Sequence, residues 1–442
     1  MFSSRSIEKA GPGGEDVGRH APSFYAATAP AGPAAPLLDE NVIADCCVVG
    51  GGFAGLGAAL ALALAGRSVR LVEAGPLGWG ASGRNGGQVH IGWNQDQPWL
   101  ERKLGRVTAH ALWDVALQAR ANLDTLIALD PEACDFRPGH VHADHKPRFV
   151  AHSHAWVRHM RQEYAYPHLR AVDRDEMRAL VDSPGFFGGS VDDLGGHLHP
   201  LKLALGMAGE AVRLGAKVHA HSPCTTITRD GDGWRVSTPQ GSVRAGQVVV
   251  AAGGYATGLL PQVDAHVLPI NNFIATTAPL PGDLADRLIA GGRSVSDSRF
   301  VVRYFRVTAD NRLLFGGGES YGWRFPADIA AFVRPHLLDT FPQLRDVAID
   351  HAWGGTLAIT PDRLPHMAQV QPGLWSLNGF SGVGVVLAPY LGMALGDALA
   401  GRESAAFAAL RALPAPRFPG GPALRWPTMV AALSFFALRD KI

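Results

Sequence analysis

The chain of 442 residues is 47% hydrophobic and carries 40 basic against 39 acidic side chains, a formal net charge of +1. That is material for two or three domains with large cores. The balanced charge excludes a basic field for nucleic acid or an acidic membrane surface. Four cysteines (Cys46, Cys47, Cys134 and Cys224), with no CxxC and no metal-type Cys/His spacing, exclude a disulfide framework and suit a reducing cytoplasm.

Met1 to about His20 is rich in Gly, Ser and charge and has no apolar h-region. It reads as part of a disordered lead-in, residues 1–22, rather than as a signal peptide. The most informative segment follows, Asp45-Cys46-Cys47-Val48-Val49-Gly50-Gly51-Gly52-Phe53-Ala54-Gly55, closed by Glu73-Ala74 after Val69-Arg70-Leu71-Val72. Its order is strand, glycine turn, helix, second strand, acid. Gly50 permits the tight turn, Gly52 lets backbone approach a pyrophosphate, and Gly55 lets the helix pack close to the sheet. The helix start offers N–H groups and a positive dipole end, and Glu73 stands where an acid accepts hydrogen bonds from a ribose. A membrane span is the competing reading of the uncharged run Cys46–Gly66. Its clustered glycines and the short helical part, Phe53–Ala65, argue for the first helix of an α/β domain instead.

Next comes Gly78-Trp79-Gly80-Ala81-Ser82-Gly83-Arg84-Asn85-Gly86-Gly87-Gln88, a poor helix or strand. It suits a loop laid against a flat ligand, with Arg84, Asn85 and Gln88 as directed donors. Residues 99–180 read as helical and then mixed. His140, His142, His145, His152 and His154 read as scattered surface or hydrogen-bonding groups, since no tight metal-ligand pattern joins them, and no metal is expected. Leu201–Gly215 is an amphipathic helix ended by glycine. Lys217–Ala220, Thr225–Thr228 and Trp234–Thr238, with a turn at Asp230–Gly233, read as a β-meander. Gln247-Val248-Val249-Val250-Ala251-Ala252-Gly253 suits a buried parallel strand ending at a ligand.

Strands are expected again over Val267–Pro281 and Phe300–Gly318, and a helix over Asp328–Phe341. Leu374–Asn378 reads as a strand, Gly379–Gly384 as a turn, and Val385–Ala400 as an apolar helix. This second strand–glycine–helix unit lacks a following acid. It is either a second helix N-terminus in the same crevice or an ordinary sheet–helix connection. The tail 403–442 contains an apolar patch near Ala431–Leu438, too short to span a membrane and expected to pack on the body.

The combination resembles the D-amino acid oxidase superfamily of FAD-dependent amine and amino-acid oxidases, and within it the γ-glutamylputrescine oxidoreductase-like proteins. The matching pieces include Ser23–Ala29, Gly80–Gln88, Gly196–Leu201, Tyr304-Phe305-Arg306, Asp310–Gly318, Trp353–Thr356, Asn378–Gly382, Pro419-Gly420-Gly421 and Ala437–Asp440. The resemblance covers nearly everything after residue 20. It implies an α/β fold: an FAD-binding, glutathione-reductase-like Rossmann domain from residues 40–98, 196–262 and 350–402, with a mixed-sheet substrate domain from 99–195 and 263–349. It implies FAD contacts at Gly50, Gly52, Phe53, Ala54, Gly55, Glu73, Ala74, Ser82, Gly83, Arg84, Asn85, Gly86, Gly87, Gln88, Ala252, Gly253, Gly382, Val383, Gly384 and Val385. Tyr304 and Arg306 are candidates for the substrate side, where Arg306 could pair with a carboxylate. Packing or salt-bridging within the sheet is the alternative for both.

Two departures stand out. The turn usually similar to F/Y-S-G-H-G has Val383 at the histidine. No cysteine follows Cys224, so the late-cysteine flavin linkage of some relatives is absent and FAD is expected to be non-covalent. The implied reaction is hydride transfer from the α-carbon of a small-molecule amine or amino-acid-like substrate to flavin N5, imine hydrolysis, and reoxidation by O2 or another acceptor. No catalytic acid or base is needed if the amine arrives neutral. An FAD dehydrogenase with another acceptor, a flavin-binding protein without this chemistry, and a nicotinamide dehydrogenase are the competing readings. The single fingerprint and the Ser82–Gln88 loop oppose the last.

Overall fold

The computed structural model describes residues 16–129, 134–320, 324–420, 427 and 430. Two sheets organise it. In the first, five parallel strands run in the spatial order Leu374–Asn378, Ser242–Val250, Asn41–Val49, Val69–Val72, Lys217–His219. The chain grows outward from Asn41–Val49 to one side and then returns to the other, so the order reverses between Asn41–Val49 and Ser242–Val250. Ligands of open α/β sheets bind outside the strand C-termini at such a reversal. His366–Gln371 adds an antiparallel edge. The hairpin Thr226–Asp230/Gly233–Ser237 joins the start of Ser242–Val250. The expected meander is therefore only partly one: Lys217–His219 is a parallel member of the main sheet.

The second sheet has the order Ile349–Ile359, Leu268–Thr277, Leu313–Ser320, Tyr304–Val307, Ser294–Asp297, Arg137–Ala143, Gly189–His197, Gln88–Val89, with Leu169–Val172 also on Gly189–His197. Its pairs are antiparallel except Ser294–Asp297 with Arg137–Ala143. Side chains alternate between its faces. Val141, Val295, Phe305, Phe315 and Phe273 enter a core beneath the helix Ile329–Thr340. His140, Ser294, Ser296, Tyr304 and Arg306 take the other face, toward the first sheet.

Sheet membership moves two expected limits. Ile349–Ile359 is hydrogen-bonded along Leu268–Thr277 and belongs to the second sheet. The helices Gln97–Leu104 and Arg106–Ile127 pack on the first body through Leu100, Ala109, Leu112, Val115, Ala119 and Leu123. Their apolar stripe matches that core rather than the second one.

The expected lead-in is ordered where it is described. The carbonyls of Asp16 and Arg19 accept from the Trp79 indole; residues 1–15 lie outside the described residues. A short helix, Phe24–Thr28, is capped by Ser23 and buries Phe24 and Tyr25. In the tail, Phe418 donates its N–H to Ala265 O; the apolar patch near 431–438 lies outside the described residues.

His199 ties this N-terminal helix to the helix Pro200–Arg213. Its Nδ1 accepts the Lys202 N–H at 3.2 Å, so Nε2 carries the proton and donates to Thr28 Oγ1 at 3.0 Å. Burial, helped by the charges of Arg306 and Lys202, pushes its pKa down to about 3. The unfolded chain binds this proton near pH 6.5 and the folded one only near 3, so stability is full above 6.5 and falls as pH drops. Urea unfolding at about pH 5 should show about 2 kcal/mol less stability than at about pH 7 from this imidazole alone. His199→Asn keeps a capping acceptor and should remove that share of the pH dependence.

Candidate functional site

The C-termini of the central strands lie in register: Val49 pairs with both Val72 and Val250. Gly50, Glu73 and Ala251 therefore leave the sheet side by side. Gly50 has φ +112°, and a Cβ there would lie 2.6 Å from Ala251 O. Glu73 folds under the glycine turn; its Oε2 accepts from Gly51 N at 2.6 Å and its Oε1 from Gly75 N at 3.0 Å. Burial pushes its pKa up against the pull of these N–H groups and that of Ala74. Each oxygen keeps further acceptor capacity, so the acid can brace the turn and still receive a ribose hydroxyl. Ala74 beside it is exposed.

The helix Phe53–Leu64 starts at Gly52, without a side-chain cap of its own; Ser82 Oγ reaches across to take the Phe53 N–H at 2.9 Å. A Cβ on Gly55 would collide with the carbonyl oxygen of Gly50. Ala54 is buried where the second apolar helix, Gly384–Leu399, crosses the first. That crossing is made by glycine: a Cβ on Gly57 would strike Pro389 O, and one on Gly392 would strike Ala54 O. Both N-termini consequently open on one crevice. The second begins at Val383, half-buried against the main core and making no side-chain cap, and continues into Gly384 and Val385. Its approach is set by Ser381 (φ +51°) and Gly382 (φ +98°), with Asn94 Nδ2 donating to Ser381 O at 2.8 Å. Asn378 joins the neighbouring strand end: its Oδ1 accepts from Gly253 N at 2.7 Å, directly after Ala252.

The loop Ser82–Gln88 is a stitched connection between the two bodies. Asn85 Nδ2 donates to the carbonyls of Ala81 and Ser82, across Gly83, and its Oδ1 accepts from Gly87 N. Arg84 is buried, stacks 4.2 Å over the Trp79 ring, and donates from Nε to Trp79 O and from Nη1 to Gly354 O. Gln88 Nε2 donates to Val295 O at 2.7 Å. Arg84 and Gln88 thus spend these donors on carbonyls of the second sheet and of the loop itself.

Arg306 is also a clasp. It is 3% exposed, and donates to Gly86 O (2.9 Å), Leu198 O (3.2 Å) and the Tyr25 hydroxyl (3.1 Å). Those carbonyls compensate its buried charge and hold the loop, the N-terminal helix and the second sheet together. The expected pairing with a substrate carboxylate has no support in this geometry. Tyr304 lies across Gly86 and Gly316, with its hydroxyl on Asn272 Oδ1 at 2.5 Å. Two groups escaped the sequence reading, Asn94 and the polar strand face that joins His90, Ser294 and Ser296 to His140; Asn378 stood among the matching pieces without an assigned bond. No cluster of three or more metal-ligating side chains occurs among the described residues. No helix among them is long and apolar enough to cross a membrane.

A switch point with a glycine turn, an acid on the next strand and two helix N-termini is built for a dinucleotide. The family model for FAD dependent oxidoreductase (DAO) matches residues 45–398. This chain belongs to the DAO family of FAD-dependent oxidoreductases. It is 38% identical over 419 residues to the probable oxidoreductase OrdL of Rhizobium meliloti, covering 95% of this chain and 97% of that protein. It is 36% identical over 429 residues to the γ-glutamylputrescine oxidoreductase of Escherichia coli, covering 96% and 99%. Among solved structures, glycine oxidase from Geobacillus kaustophilus superposes with a TM-score of 0.70 at 21% identity, over 82% of this chain and 95% of that one, a likeness of fold.

FAD is the cofactor of the DAO family, and the crevice fits it. The Gly50–Gly55 turn and Glu73 suit the AMP half and pyrophosphate. The start of Gly384–Leu399 offers a positive dipole end to negative charge, worth roughly 0.3–1 kcal/mol. Gly55→Ala should abolish retention of FAD through purification and cost about 3 kcal/mol of stability, read from bound flavin absorbance and urea unfolding. Arg306→Met should lower stability by about 3 kcal/mol; a loss confined to substrate affinity would instead favour a substrate-facing guanidinium.

Proposed function

We propose that this DAO-family protein oxidises a C–N bond of an amine or amino-acid-like small molecule. The observation that carries the reading is the polar face of the second sheet, where Tyr304, Asn272, His140, Ser294 and Ser296 stand beside an Arg306 bonded to Gly86 O, Leu198 O and Tyr25, set across the Ser82–Gln88 loop from the nucleotide crevice. Near full-length likeness to a γ-glutamylputrescine oxidoreductase supports the same class.

FAD, when bound, supplies the two-electron acceptor. The chain's own task is to hold the amine neutral and oriented and to exclude bulk water. A wall of hydroxyl, amide and neutral imidazole groups suits that task, because it stabilises no ammonium charge strongly. Loss of hydride and proton leaves an imine, which water hydrolyses to a carbonyl and the departing amine. The two electrons pass on to O2, giving hydrogen peroxide.

Anaerobic titration with γ-glutamylputrescine, putrescine and glycine should bleach the flavin band for at least one of them. Readmitted air should then yield one hydrogen peroxide per substrate oxidised. Dye reduction without peroxide would overturn the oxidase assignment, and an unbleached flavin with all three would overturn the amine reading. Acid precipitation should leave the flavin in the supernatant, because no cysteine follows Cys224.

A further inference from the structure

Behind Gln88 a chain of hydrogen bonds runs into the second sheet, and its direction can be read atom by atom. Gln88 Nε2 donates to Val295 O. Its Oε1 therefore faces His90 Nε2 at 3.2 Å, and that nitrogen must carry a proton. On the neighbouring ring, Ser294 Oγ donates to Gly196 O at 2.9 Å and so accepts from His140 Nδ1 at 2.8 Å. His140 Nε2 is then the acceptor, and the Ser296 hydroxyl donates to it at 2.9 Å. The two imidazoles meet edge to face with centroids 4.0 Å apart.

Burial pushes His90 down to about 4 and His140 well below the ordinary imidazole range. Both rings are neutral at physiological pH, which is the state these hydrogen bonds require. One Gln88 N–H, the His90 Nε2–H, the His140 Nδ1–H and the hydroxyls of Ser294 and Ser296 are spent on Val295 O, Gln88 Oε1, Ser294 Oγ, Gly196 O and the His140 ring. A lone pair remains on His90 Nδ1, and another on Oγ of the buried Ser296. His90 is half-buried, and among the described residues Nδ1 is neither hydrogen-bonded to protein nor one of the sealed polar atoms.

We infer that His90 Nδ1 is a hydrogen-bond acceptor for a substrate N–H, positioned by Gln88 and by the face of His140; the inference rests on the amine reading above. A lone pair repels a carboxylate and accepts from an amine, so the cluster selects for a nitrogen donor. Ser296 Oγ, on the strand that also supplies the Gln88 anchor, is a second acceptor for the same kind of group. His142, next along this face, has its Nε2 3.5 Å from the carboxylate of the buried Asp144.

Three variants test the assignment. His90→Leu removes both ring nitrogens. His90→Asn keeps an oxygen acceptor at the Nδ1 position. His90→Gln keeps only a polar group at the Nε2 position, toward Gln88. With γ-glutamylputrescine, putrescine and glycine as probes, dissociation constants are read from the perturbed flavin spectrum under anaerobic conditions, and limiting reduction rates from the bleaching. FAD content should match wild type in all three. Affinity for the bound amine should fall about tenfold or more in His90→Leu and His90→Gln, and stay within about threefold in His90→Asn. Equal affinities in wild type and His90→Leu, or equal losses in His90→Asn and His90→Leu, would overturn the assignment. Wild type that binds an amine without bleaching would overturn the amine-oxidation reading, while the comparison of affinities still decides the role of His90. Wild type that binds none of the probes would overturn both.

Discussion

The crevice depends on backbone touching backbone between two helices. Phe53–Leu64 and Gly384–Leu399 cross at Gly57, Gly392 and Gly396, where any side chain would strike a carbonyl of the other helix. The helices have almost no polar surface to orient them, so close packing does it. Once they are pressed together, the two strands that feed them, Asn41–Val49 and Leu374–Asn378, can lie no farther apart than one strand, and Ser242–Val250 fills that place. The positions of both helix N-termini follow, and with them the place where negative charge on a ligand is most favourable.

Around that crevice the protein uses charge sparingly and compensates it with carbonyls. Arg84 and Arg306 are both buried, and neither is drawn to an aspartate or glutamate by the hydrogen bonds described. A carbonyl accepts without needing a counter-charge, so each guanidinium can tie several chain segments at once. The result is a joint between the two bodies in which carbonyls from several segments converge on each guanidinium. Buried neutral imidazoles continue the same economy on the second sheet. His140 and His199 each satisfy one donor and one acceptor and add no charge.

The nucleotide half was legible because its chemistry forces local sequence. A turn that meets a pyrophosphate needs glycines at fixed spacing, and the sheet around it needs uninterrupted apolar runs such as Val48-Val49 and Val248-Val249-Val250. The family likeness was carried by such stretches. The second sheet was harder. Its strands come from segments scattered along the chain, and which of them pair is a long-range matter. In sequence Arg306 reads either as a substrate-side cation or as a strand residue packed within the sheet, and only three acceptors from three remote segments make it a clasp. The polar face did leave a trace: Gln88-Val89-His90, His140-Val141-His142 and Ser294-Val295-Ser296 are polar–valine–polar triplets with the period of a strand. Taken one at a time they look like surface residues. Only their pairing makes one wall of them. The boundary near residue 350 differs from the expected one for a related reason, since Trp353-Gly354-Gly355-Thr356 looks like part of the cofactor turn but is hydrogen-bonded into the second sheet.

The glycine crossing also bears on how the molecule is made. Gly57 and Gly392 lie near opposite ends of the chain, yet the crevice does not exist until they meet. During synthesis the apolar first helix emerges long before the partner that covers it, which lies far downstream in the chain. The long loop between them must close before the contact repays its entropy. Cofactor capture is therefore a late event in assembly, and a flavin already in the crevice reports that the C-terminal helix has docked.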